Sequence, residues 1–330
     1  MVATRAAAEG SFVRGISTRT RLHVVTGKGG TGKTTAAAAL ALALADTGRT
    51  VLLVEVEGRQ GIAQLFGVPP MPYEELRLAR VGNGGELVGL AIDAEQAMIE
   101  YLDMFYGLKR SARGLKKMGA VDFVTTLAPG LRDVLLTGKV KESTVRSRDG
   151  KPVYDAVVLD APPTGRIARF LDATKEVAKL TKFGPINSQS EGVIKLLHGP
   201  KTAVHIVTLL EEMPVQETID AAGELAALGF QLGVVIVNRA RPALVTAGLV
   251  AADGGVDEAA LRAGLGTAGV SGAYTTALAQ EMADYAQRQR LQEENAARLD
   301  SLDLPRVELP DLNPPIEIGE LRDLAACFRP

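Results

Sequence analysis

Short apolar runs alternate with helical patterning along most of this chain. Residues 22–26, 50–56, 87–92, 154–159, 203–209, 232–237 and 305–309 are apolar at neighbouring positions, without the polar alternation of a half-solvated strand. Strands apolar on both faces and separated by helices belong to a sheet covered on both sides. The pattern therefore predicts an α/β protein with a doubly wound, mainly parallel sheet. A long, mainly helical insertion over 93–143 follows the third strand, and a second amphipathic stretch covers about 170–200; together they predict a helical layer at one end of the sheet. In the first, Met98, Tyr101, Leu102 and Phe105 share one helical face, read as core, ahead of a basic run of Lys109, Arg110, Arg113, Lys116 and Lys117, read as solvated. Residues 248–255 read as a loop and 256–302 as helical, broken at Gly264, Gly266, Gly269 and Gly272.

Composition narrows the class. With 330 residues, 46% hydrophobic and 23% charged, the chain can build one large core, which excludes a disordered protein. The organisation expected is a disordered leader over 1–20 and one domain over 21–330. A formal net charge of -2 supplies no basic field for nucleic acid, so none is expected as a partner, and any bound anion needs a local site. The longest apolar run, 36–45, is half a membrane span, so no stable insertion is expected. Cys327 is the single cysteine, which excludes an intramolecular disulfide and fits a reducing, cytoplasmic setting.

The strongest chemical signal follows the first strand: Gly27-Lys28-Gly29-Gly30-Thr31-Gly32-Lys33-Thr34-Thr35, the G-x-x-x-x-G-K-[ST] pattern, opening a helix. Glycines there let backbone N–H groups face phosphate oxygens, and the helix N-terminus adds positive potential. Lys33 is expected on the β/γ-phosphates and Thr34 on Mg²⁺. The buried run 154–160 ends in Asp160, a carboxylate placed to hold the Mg²⁺ through water.

Lys28 is unusual, because a second lysine inside the loop has no comfortable reach to its own phosphates beside Lys33. The loop resembles the deviant P-loop of dimeric SIMIBI-class ATPases, a resemblance that implies a lysine crossing to the partner's nucleotide. Asp160-Ala161-Pro162-Pro163-Thr164-Gly165-Arg166, continuing to Phe170-Leu171, resembles the switch II of the ArsA family, which includes arsenite-pump ATPases and ATPases that target tail-anchored membrane proteins. Glu217-Thr218 resembles that family's E-T element, Val237-Asn238-Arg239 its adenine-reading V-N-[QKR] element, and Leu309-Pro310 its adenine-side loop. The resemblance implies an ATP- and Mg²⁺-dependent hydrolase that works as a nucleotide-switched dimer, homomeric or paired with a paralogous ATPase, and handles a client protein. It implies Asn238 and Pro310 beside the adenine. No internal repeat is present, which excludes a fused tandem of two halves.

The departures matter as much. Where the family's switch I reads D-P-A-H, this chain has Glu57-Gly58-Arg59-Gln60, so Glu57 is expected to position the attacking water on a longer arm and hydrolysis to be slow; Glu55 is its rival on the same strand. Arg166 replaces a common histidine in switch II. One cysteine provides neither a metalloid thiolate cluster nor a shared zinc clamp, and His23, His198 and His205 are dispersed, with His23 read as a core residue. Too few methionines (Met98, Met104, Met118) stand in the insertions to specify a groove for membrane helices. A nitrogenase-type reductase fails for want of cysteines. A positioning ATPase, which would usually carry a basic tail or a DNA-binding patch, and a hydrolysis-poor regulatory subunit paired with a paralogue remain as alternatives.

Overall fold

The structure is a computed structural model that describes residues 15–56, 58–106, 129–180, 185–244, 250–251, 255–312 and 315–329. Eight strands form one sheet. β1 (Leu22–Gly27) lies at its centre, flanked by β7 (Ala156–Asp160) and β8 (Thr202–Thr208). β2 (Thr50–Glu55), β4 (Glu86–Ala91) and the edge strand β3 (Leu76–Arg80) continue on the β7 side, and β9 (Leu232–Ala240) and β10 (Arg306–Pro310) on the β8 side. Every pairing is parallel except β3 with β4. The seven strands read from the apolar runs are all present, and the doubly wound architecture is as the pattern predicts.

Alternation along the central strands feeds two cores. Val25, Val51, Leu53 and Val158 face α1 (Lys33–Ala45), which is packed in turn beneath the C-terminal helix Ile318–Ala326. Because α1 is covered on almost every side, its sequence of alanines and leucines shows no amphipathic stripe. On the opposite face Val24, Leu52, Val54 and Leu159 meet helices from the two insertions. The first insertion supplies α3 (Ala94–Tyr106) and α4 (Pro129–Val145), with Leu135, Leu136 and Val140 in the core and Met98 packed at its edge, as read. The basic run 109–117, Met118 and the side chains of Tyr101, Leu102, Met104 and Phe105 lie outside the described residues.

Several expectations are corrected. Within the segment expected as a leader, Ile16 and Thr20 are buried, Ile16 in the core. Residues 1–14 lie outside the described part. The stretch expected over about 170–200 carries α5 (Thr164–Leu180) and α6 (Pro185–Leu197); α5 starts inside switch II, where Pro163 precedes Thr164 and the Pro163 carbonyl accepts from the Arg166 and Ile167 amides. β3 and the short hairpin of β5 (Ser147–Arg148) with β6 (Lys151–Pro152) were not read from the sequence.

His23 is indeed a core residue, and its partner is His205 on the neighbouring strand. The two rings stack, with His23 Nδ1 3.1 Å from His205 Nε2, and both are fully buried. Between β8 and β9 the register shifts, and the Val234 amide donates to His205 Nδ1 at 3.1 Å. That donation fixes the tautomers: His205 carries its proton on Nε2 and gives it to His23 Nδ1, and His23 carries its own on Nε2.

Candidate nucleotide site

The carboxyl ends of the central strands gather the candidate residues, as a parallel open sheet arranges them. β1 ends at Gly27, whose φ of 157° leaves a Cβ no room against the Val207 carbonyl of β8. Gly32, at φ 84°, closes the loop and hands the chain to α1; a Cβ there would strike the Asn238 amide. Over Gly29 and Gly30 an added Cβ meets nothing within 4 Å, so the loop's outer side is open. Thr35 continues the first turn of α1.

Inside the loop, the Lys28 carbonyl accepts from Thr31 Oγ1 at 2.9 Å and from Lys33 Nζ at 3.3 Å. Both Thr31 and Lys33 are buried. The Lys33 ammonium is thus folded back onto the loop. Thr34 Oγ1 donates to Asp160 Oδ2 at 2.6 Å, which brings together the two residues expected at a metal. A hydroxyl and a carboxylate are oxygen donors of the kind Mg²⁺ takes, and the ion ordinarily keeps its other positions for water and phosphate. No cluster of three or more His, Cys, Asp or Glu placed to hold a metal exists among the described residues.

Switch II is tied to this floor from below. Thr26 Oγ1 donates to the Pro162 carbonyl at 2.7 Å, and Thr164 Oγ1 reaches Glu217 Oε2 at 3.4 Å. Glu217 stands on α7, the helix Glu212–Ala227, and its Oε1 holds Lys28 Nζ at 2.6 Å. Lys28 therefore rests on its own chain, bridging loop to switch. Both partners keep about a third of their side-chain surface in solvent, so the pair is worth about 1 kcal/mol or less and is readily exchanged for another anion. The E-T pattern flagged Glu217, but nothing in the sequence named Lys28 as its partner.

Asn238, expected beside the adenine, sits against the phosphate loop. It is buried with Nδ2 on the Thr31 carbonyl at 2.9 Å, bracing the loop from β9. Pro310 ends β10 opposite Ala240, exposed, beside Asp311. Although burial works against its charge, hydrogen bonds from Arg239 and Arg241 hold the Asp311 carboxyl below its ordinary range.

Glu57 lies outside the described residues. Glu55, its rival, is fully committed: it is buried, Oε1 accepts from the Gln60 amide at 2.5 Å and Oε2 from the Ile62 amide at 3.2 Å. Glu55 thereby caps the short helix Gly61–Leu65, which no side chain caps from its own N-cap position. Gln60, at φ 57°, exchanges two hydrogen bonds with the Met71 backbone, so the segment after Glu57 is pinned at both sides.

Residues 20–200, more than half of the chain, match the family described as Anion-transporting ATPase. The chain is 58% identical over 310 residues to ATPase BagA of Mycobacterium tuberculosis, covering 92% of this chain and 91% of that protein. It is 28% identical over 197 residues to ATPase GET3 of Kluyveromyces lactis, covering 57% and 55%. Against the arsenical pump-driving ATPase of Escherichia coli it is 25% identical over 241 residues, or 66% of this chain and 39% of that one.

Proposed function

Since this chain belongs to the anion-transporting ATPase family and is an ATP hydrolase, we propose that it is a nucleotide-switched dimer whose 27–35 loop holds the phosphates of ATP and whose helical layer engages a client protein. The observation that carries the reading is the 2.6 Å contact between Thr34 and Asp160 beside a glycine loop whose lysine is folded back onto the loop backbone.

Each residue then has a task. The loop amides and Lys33 bind and orient the β- and γ-phosphates; Gly27 and Gly32 permit the close turns this requires. Thr34 and Asp160 would hold Mg²⁺, which when bound would supply positive charge to neutralise the phosphates. Glu57 positions the attacking water, since the Glu55 carboxylate is occupied as a cap. Asn238 keeps the loop in register while the base lies toward Pro310. Lys28 exchanges Glu217 for a phosphate oxygen of the neighbouring subunit, offsetting charge that develops in transfer. Loss of that pair loosens Thr164 as well, which gives switch II, and α5 behind it, a reason to respond to the partner.

The partner is a second copy or a paralogue. No helix among the described residues is long and apolar enough to cross a membrane. Calorimetry and sedimentation test the reading together: wild type should bind Mg-ATP and close into the dimer with it, and Lys33→Ala should not bind it. Equal affinity in the variant would move the nucleotide elsewhere.

A further inference from the structure

We propose that the cavity at the amino ends of the central strands is a binding site for a sugar phosphomonoester. The cavity, of about 490 Å³, is lined by Arg19, Arg21, Arg49, Asp155 and Lys201. Four of these stand directly ahead of neighbouring strands. Lys201 precedes β8, Arg21 precedes β1, Asp155 precedes β7 and Arg49 precedes β2, which is also their order across the sheet. Adjacent strands lie about 4.8 Å apart, so the sheet itself sets cations on the β8 and β1 side of the cavity and a carboxylate on the β7 side.

Three of the cations keep their charge for a ligand. Arg49 holds an interaction of its own and is left out of the balance. Arg21 Nη2 donates to the Tyr154 carbonyl at 2.6 Å, a neutral partner that aims the guanidinium without discharging it. Arg19 and Lys201 are exposed, and neither side chain is ion-paired among the described residues. Asp155 Oδ2 accepts from the Thr50 amide at 2.9 Å, which ties the carboxylate to β2 and leaves Oδ1 for a donor. The undescribed segment nearest the lining in sequence, residues 1–14, brings Arg5 and Arg14 and one acid, Glu9. Even with Glu9 set against them, Arg19, Arg21 and Lys201 outnumber the carboxylates.

The two sides ask for two groups on one ligand. Phosphate suits the side where a guanidinium fork and an ammonium adjoin, the Arg21 amide donating to the Lys201 carbonyl at 2.8 Å. A carboxylate steadied by a backbone amide suits hydroxyl groups, the chemistry by which acidic side chains read ribose in dinucleotide sites. Inorganic phosphate alone would leave Asp155 unused and most of the volume to water. The cavity is distinct from the 27–35 loop, because the six residues of β1 separate Arg21 from that loop by about 20 Å. Binding here does not rest on the nucleotide reading above.

Ribose 5-phosphate titrated into the full chain tests the site, with Lys33→Ala as a second background in which the 27–35 loop is silenced. Binding should be saturable and equal in both backgrounds, about tenfold weaker in Lys201→Ala and weaker again in Lys201→Glu. Ethyl phosphate, which carries no hydroxyl on carbon, should bind about tenfold less tightly than ribose 5-phosphate, and that preference should vanish in Asp155→Ala. No saturable binding, binding lost with Lys33→Ala, equal affinity in Lys201→Glu, or a preference that survives in Asp155→Ala overturns the site. Adenosine monophosphate separates the sources: tighter binding than ribose 5-phosphate, lost in Lys201→Glu, assigns the site to nucleotides, and equal or weaker binding assigns it to free sugar phosphates, both in support of the proposal.

Discussion

Acidification should destabilise this protein through the His23–His205 pair. Burial, its largest cause, lowers His205 from 6.5 to about 4 and, with the neighbouring His205 and Arg49 charges, takes His23 well below 6.5. The hydrogen-bond chain explains the cost of a proton: on His205 Nδ1 it would point at the Val234 N–H, and on His23 Nδ1 at the His205 N–H. The folded state thus binds fewer protons than the unfolded one below 6.5, so stability is complete above that pH and falls as pH drops toward 4. For His205 alone the loss is about 2 kcal/mol at pH 5, which in a chain this long is roughly 3 °C in melting temperature. His23 adds in the same direction. Thermal unfolding between pH 7.5 and 5 should show the decline, flattened in His205→Gln because the amide does not titrate. Parallel curves for variant and wild type would refute the reasoning. Should the variant not fold, an imidazole proton titration of wild-type His205 decides, and an inflection near 6.5 is the refuting result.

Other outcomes concern the site. Asp160→Asn should leave ATP binding without metal within a few-fold and lower Mg²⁺-dependent turnover by at least about 10², read from titrations and rates with and without the ion. Glu57→Gln should bind Mg-ATP yet lose hydrolysis and accumulate the dimer; normal turnover would remove Glu57 from the reaction and favour a regulatory role. Glu55→Gln, which sets an amide against the Ile62 or Gln60 N–H, should lower stability by about 1–3 kcal/mol in urea unfolding. Arsenite and antimonite should neither bind nor accelerate turnover, because Cys327 is the single thiol; saturable activation by either would contradict this.

The central sheet and its loop were legible because both obey short-range rules. Buried parallel strands are continuous apolar runs, and a phosphate loop is nine contiguous residues between strand and helix. β3 escaped because it is an edge strand, with the half-polar sequence Leu-Arg-Leu-Ala-Arg paired antiparallel on one side only. The 147–152 hairpin did carry a signal, Asp149-Gly150, both at positive φ, a dipeptide that favours such turns. What the sequence could not supply are pairings across long separations. Lys28 with Glu217, His23 with His205, and Arg21, Asp155 and Lys201 around one cavity depend on the winding order of the sheet. Glu55 and Glu57 could not be told apart by type or spacing; only the backbone amides on Glu55 assign it a structural task.

Subunit complementation tests the cross-subunit account most directly. Lys28→Ala keeps its own Lys33 and should bind ATP but turn over slowly, and Lys33→Ala should not bind ATP but can still offer Lys28 to a neighbour. Mixed in equal amounts, the two inactive chains should regain about a quarter of wild-type ATPase rate, because half of randomly paired symmetric dimers are mixed and each has one complete site. A mixture as inactive as its components, under conditions where wild type hydrolyses ATP and the variants still dimerise, would place Lys28 on its own subunit's chemistry and contradict the account.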